Sequence, residues 1–164
     1  MVASDPADES RSNSGTTGPA DAPPGGDADP GYPSKAEVDA ALERIRSLAL
    51  ALPEVTERLS HGSPTFFIRG KKTFANFIDG HHHDGRLALW LAAPDGVQAT
   101  LAETEPERFF RPPYVGHRGW LGVRLDVSPD WDEIGAIIEE AYCCIAPKKL
   151  IAALDAVSQE ADGA

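Results

Sequence analysis

The chain has 164 residues, 41% of them hydrophobic, with 15 basic against 26 acidic side chains and a formal net charge of -11. That length fills one core and falls short of two ordinary domains, and the acidic balance excludes strong salt-driven binding to a polyanion unless positive charge is concentrated locally. No apolar run approaches the ~20 residues that span a bilayer, and the amino terminus has neither the basic start nor the hydrophobic stretch of a signal peptide, so a cytoplasmic protein is expected.

Residues 1–33 are rich in Asp, Ser, Gly, Pro, Thr and Ala, and set Asp5, Asp8, Glu9, Asp21, Asp27 and Asp29 against the single base Arg11. Such a segment buries too little apolar surface to offset its ordering entropy, which predicts a disordered acidic tail. The folded domain is expected over residues 34–156, with 157–164 fraying at the end. Ser34-Lys35-Ala36-Glu37 spells a capping box. Val38, Ala41, Leu42, Ile45, Leu48, Ala49 and Leu52 follow at helical spacing until Pro53 closes the helix.

From Glu54 the period changes. Val55, Glu57 and Leu59 lead to His61-Gly62-Ser63-Pro64, and Thr65–Ile68 and Lys72–Ile78 flank Arg69-Gly70-Lys71 as a hairpin. With Leu87–Leu91 this makes a three- or four-stranded antiparallel meander. Pro94-Asp95-Gly96 opens a short helix through Val97 and Leu101 that ends before Pro106. Glu107–Phe110 is expected to add a helical turn with both phenylalanines plugging the core. Trp120–Leu125 alternates as a strand, with Leu121, Val123 and Leu125 on one face and Trp120, Gly122 and Arg124 on the other. Asp130 starts a long helix carrying Trp131, Ile134, Ile137, Ile138, Ala141, Tyr142 and Ile145 on one side, Pro147 breaks it, and Lys148–Leu154 forms a last short helix. Cys143 and Cys144 are adjacent on that helix, about 100° apart, and read as buried reduced thiols. The pattern is α+β, an antiparallel β-sheet packed by N-terminal and C-terminal helices.

The densest concentration of recognition chemistry is Arg111–Leu125, where prolines and glycines shape the backbone and Tyr114, His117, Arg118, Trp120 and Arg124 supply stacking faces and donors. Two uses fit. Arg111, Arg118 and Arg124, joined by Arg69, Lys71 and Lys72 at the hairpin tip, would give DNA a local positive surface with Tyr114 and Trp120 stacking on bases. Alternatively, Trp90, Trp120, Tyr114, Phe66 and Phe67 would wall a pocket for a planar or anionic small molecule, with His61, His117 and Arg118 orienting it.

Catalysis has less behind it. His81-His82-His83-Asp84 lacks the spacing to surround one metal ion and reads as a solvated turn. His61 and His117 have the chemistry of general bases, and Ser60 and Ser63 flank His61, but sequence adjacency does not define a nucleophile and its base. Gly116-x-x-Gly119-x-x-Gly122 leads into a strand, whereas a phosphate loop leads into a helix. No catalytic residue, metal site or cofactor is assigned.

The chain resembles the MmcQ/YjbR-like family. The resemblance is carried by Leu52-Pro53-Glu54-Val55-Thr56-Glu57, His61-Gly62-Ser63-Pro64-Thr65-Phe66, Pro106-Glu107-Arg108-Phe109-Phe110, Pro112-Pro113-Tyr114-Val115-Gly116-His117-Arg118-Gly119-Trp120, Asp130-Trp131 and Ala146-Pro147-Lys148, spanning nearly all of residues 38–154. It implies a double-wing or CyaY-like fold and the family's usual label of DNA binding. One branch is named for an antibiotic biosynthesis cluster, which implies a planar natural product as the alternative ligand. A non-enzymatic binding module is therefore expected, with DNA as partner or a small ligand as the alternative.

Overall fold

The computed structural model describes residues 31–80 and 84–162. The acidic tail as far as residue 30 and the run His81-His82-His83 lie outside the described residues.

Helix α1 spans Lys35–Ala49 and begins with the expected capping box: the Glu37 N–H donates to Ser34 Oγ at 3.3 Å while the Ser34 N–H donates to the Glu37 carboxylate at 2.8 Å. Its stripe Val38, Ala41, Ile45 and Ala49 is buried. Four strands follow as a meander, β1 (Val55–Ser60), β2 (Ser63–Ile68), β3 (Lys72–Asp79) and β4 (Leu87–Leu91). His61 and Gly62, at φ 52° and 81°, form the two-residue turn between β1 and β2, with both central residues in the left-handed region that matches strand twist.

Helix α2 (Val97–Thr104) leads to β5 (Phe109–Phe110), a 3-10 turn at Gly116–Arg118, and β6 (Leu121–Arg124). The sheet is six-stranded and antiparallel throughout, in the order β1-β2-β3-β4-β6-β5. Phe109 and Phe110 are thus a strand where a helical turn was expected. Once β6 pairs with β4, its second edge carries unpaired backbone groups, and Phe109 opposite Val123 and Phe110 opposite Gly122 satisfy them.

Helices α3 (Trp131–Ile145) and α4 (Lys148–Asp162) complete the fold. Asp130 caps α3 by accepting from the Asp132 N–H at 3.0 Å and the Glu133 N–H at 3.4 Å. Helix α4 runs to Asp162, past its expected end at Leu154. The residues beyond, Asp155-Ala156-Val157-Ser158-Gln159-Glu160, contain no glycine or proline to stop it, and they stay exposed.

Side-chain alternation divides the sheet into two faces. Phe77, Leu89, Val123 and Phe109 form a row across four strands and are all buried in the core under α1 and α3. Phe74 meets Tyr142 of α3 edge-to-face at 5.7 Å and 85°, and the Tyr142 hydroxyl donates to the Pro53 carbonyl at 2.9 Å, tying the helix to the entrance of β1. The neighbouring row, Arg58, Thr65, Asn76, Trp90, Gly122 and Phe110, faces away from these helices.

Candidate functional site

On that second face the covering layer is a loop. Phe110 lies against Gly122: a Cβ there would stand 2.5 Å from the ring, so only glycine lets the phenylalanine rest on the sheet. The Arg86 guanidinium sits 4.3 Å from the Phe110 ring centre. From Phe110 the chain passes through residues 111–120. Gln98 of α2 holds the far limb of this loop by donating to the carbonyls of Gly116 at 2.8 Å and Trp120 at 2.5 Å. Arg111 folds over Gly116, whose absent Cβ would lie 2.5 Å from Arg111 Cγ. At the loop's turn the Val115 N–H donates to Pro113 at 2.7 Å around Tyr114, which is held at φ 66°. A non-glycine residue in that hand of γ-turn is strained, and such strain persists only where surrounding structure enforces it.

Beneath Pro113, Tyr114 and Val115 is a cavity of about 740 Å³, floored by Asn76, Ile78 and Trp90 and bounded by Ser60, His61, Ser63 and Asp84. The β1–β2 turn fixes His61 at its edge, and Ser60 and Ser63 are a cross-strand pair beside it. Asn76 of β3 and Trp90 of β4 are directly opposed. Among the described residues, two buried side-chain polar atoms lack a hydrogen-bond partner, Asn76 Oδ1 and Trp90 Nε1. Both belong to this cavity floor. Leaving such groups unmet costs roughly 1–3 kcal/mol each.

The candidates from the sequence separate into several places. His61, Tyr114 and Trp90 come together at the cavity. Trp120 does not: it is 5% exposed and belongs to the helix-side core, so it cannot stack on a base or a ligand. The strand alternation that placed it outward fails because Trp120 precedes β6, which begins at Leu121. Phe66 is fully buried in the core, and Phe67 packs under the Arg58 guanidinium at 3.6 Å, so neither lines the cavity. His117 and Arg118 are exposed on the 3-10 turn outside it, with Arg118 5.4 Å from the Trp120 ring.

The basic candidates are dispersed and in part neutralised. Arg124 makes a two-pronged pair with Asp126, 2.9 Å at each contact, which holds its pKa above the usual arginine value. Arg69 pairs with Glu54 at 3.1 Å. Lys71 and Lys72 are exposed beside it, at the end of the strands opposite His61. Arg111 is exposed, with its stem against Gly116. Asn76, Ile78 and Val115 were not foreseen as site residues. Asn76 had a readable signal, a lone amide inside Phe74-Ala75-Asn76-Phe77-Ile78, where any side chain facing away from the core must find a polar use.

Among the described residues no cluster of His, Cys, Asp and Glu could hold a metal ion, and no helix is long and apolar enough to cross a membrane. Cys143 is half-buried and Cys144 exposed, and burial first, then nearby carboxylates, pushes both thiols above the usual cysteine range.

A YjbR family model matches residues 50–144, which takes in the whole sheet and most of α3. The chain belongs to the YjbR family. A solved Deinococcus radiodurans protein with a DUF419 domain superposes with a TM-score of 0.55 over 66% of this chain and 80% of that one, at 18% identity. At that identity the likeness shows the YjbR fold alone. No curated protein matches the chain. The YjbR match extends across the cavity floor, the β1–β2 turn and the loop above them.

Proposed function

We propose that this YjbR protein is a small-molecule binding module whose site is the cavity between the open sheet face and the loop Pro112–Gly119. The observation that carries the reading is the coincidence of Asn76 Oδ1 and Trp90 Nε1, buried and unpartnered, on the floor of one cavity. A site of about 740 Å³, apolar in most of its wall with a few convergent polar atoms, has the size and make-up of ligand pockets. A neutral ligand fits better than an anion, because among the described residues the lining holds Asp84 and neither lysine nor arginine.

DNA binding has weaker support. Nonspecific affinity for DNA comes from neutralised phosphates, yet Arg69 and Arg124 are paired with carboxylates, Trp120 is buried, and the chain carries a net charge of -11.

The test is a thermal-shift screen of neutral planar compounds, followed by titration of the hits on the parent and on Ser63→Trp, which fills the cavity from a half-buried strand position. Saturable binding that disappears in Ser63→Trp, with its melting transition retained, is expected. Binding unaffected by the substitution, or no saturable hit, would sink the reading.

A further inference from the structure

The two unpartnered atoms have fixed and opposite hydrogen-bonding characters. An indole N–H only donates, and an amide oxygen only accepts. Their residues are directly opposed across β3 and β4, and the two atoms do not satisfy one another. Directly opposed side chains on antiparallel strands have their Cβ atoms roughly 5 Å apart. A single ligand edge that meets both offers an acceptor to Trp90 and a donor to Asn76.

Charge narrows the class. Among the described residues the ionisable lining groups are His61, Asp84 and Tyr114, and Asp84 already faces Arg86 at 3.6 Å and accepts from the Arg86 N–H at 3.0 Å. A phosphate or carboxylate meets no lysine or arginine among the described lining residues. A cavity of about 740 Å³ has room for a fused ring, and a polar edge that reaches Asn76 and Trp90 enters first because those residues form the floor.

Building on the cavity as a binding site, we infer that its ligand is a neutral planar heterocycle presenting a ring amide edge, an N–H next to a C=O. Lactams and oxo-nucleobases share that edge. The C=O accepts from Trp90 Nε1–H and the ring N–H donates to Asn76 Oδ1, while Ile78, Pro113 and Val115 contact the ring.

The experiment titrates the full chain with 2-quinolinone, N-methyl-2-quinolinone, quinoline and hypoxanthine, following tryptophan fluorescence and melting temperature. 2-Quinolinone is expected to bind about tenfold or more tightly than its N-methyl derivative or quinoline, because each of those leaves a buried group unmet. Asn76→Leu should bring 2-quinolinone and its N-methyl derivative to within about threefold of each other. Equal affinity for the lactam, its N-methyl derivative and quinoline in the parent protein overturns this inference and leaves the cavity reading standing. Failure of all four to bind a protein with an intact melting transition overturns both. Hypoxanthine at least as tight as 2-quinolinone assigns a nucleobase, and hypoxanthine inert beside a bound 2-quinolinone assigns a lactam of another kind; either supports the amide edge.

Discussion

The two faces of the sheet are built from the same strands and solve burial differently. The helix side is closed by the apolar surfaces of α1 and α3, and the Tyr142 hydroxyl there reaches the Pro53 carbonyl. On the other side Phe110 rests on Gly122 beneath the Arg86 guanidinium, and the loop bridges over Asn76 and Trp90, leaving space and unmet polar atoms. A helix can bury an entire face because its own backbone is satisfied internally. A loop has to anchor its backbone at points, here through Gln98 and the turn at Tyr114, and it spans what lies between. The difference separates stability from recognition within one sheet.

Substitutions on the two faces should therefore have different signatures. The largest expected effect is on the helix side: Phe74→Ala removes a fully buried ring in contact with Tyr142 and should cost about 3–5 kcal/mol in urea unfolding. A loss below about 1 kcal/mol would show that this face is not the main source of stability. Gly122→Ala forces the Phe110 ring off the sheet and should cost about 1–3 kcal/mol. Its cavity ligand affinity should also fall, since Phe110 shares the row of Trp90 and supports the start of the loop.

Arg124→Met leaves the Asp126 carboxylate, 2% exposed, without its two-pronged partner, for an expected loss of about 2–3 kcal/mol with ligand binding unchanged. Trp90→Phe should change stability by less than about 1 kcal/mol, because the donor it deletes has no partner to lose. A much larger destabilisation there would assign Trp90 to packing and blur the distinction between the faces. The smallest effect concerns Cys144, exposed but with its thiol pKa raised by burial and then by Glu140. Fewer thiolates are present at neutral pH, so alkylation at pH 7 should run slower than for a free cysteine peptide and accelerate as pH rises. Equal rates at pH 7 would contradict the raised pKa.

Much of the fold was legible in the chain. Ser34-Lys35-Ala36-Glu37, the β-rich runs around Arg69-Gly70-Lys71 and the apolar stripe from Trp131 to Ile145 each act through neighbours a few residues away, and those elements formed where expected, except that α1 ends at Ala49, ahead of the stop expected at Pro53. Phe109-Phe110 did not, because its strand state depends on pairing with β6, which lies a dozen residues on. The site was legible only in part. His61, Tyr114 and Trp90 stood out by type, while Asn76 is an unremarked amide until Trp90 is placed opposite it, and Trp120 looks like a stacking platform until the core closes around it.

By itself the sequence determined the elements, the two-faced pattern of the strands and the family resemblance, because capping, periodicity and turn chemistry are local interactions. Tertiary structure alone decided that Phe110 lies on Gly122, that Arg124 is bound to Asp126, and that the loop at Tyr114 bridges above Asn76 and Trp90. Those outcomes depend on strand register and on the path of one loop across the sheet, and a cavity exists only where two surfaces distant along the chain fail to meet.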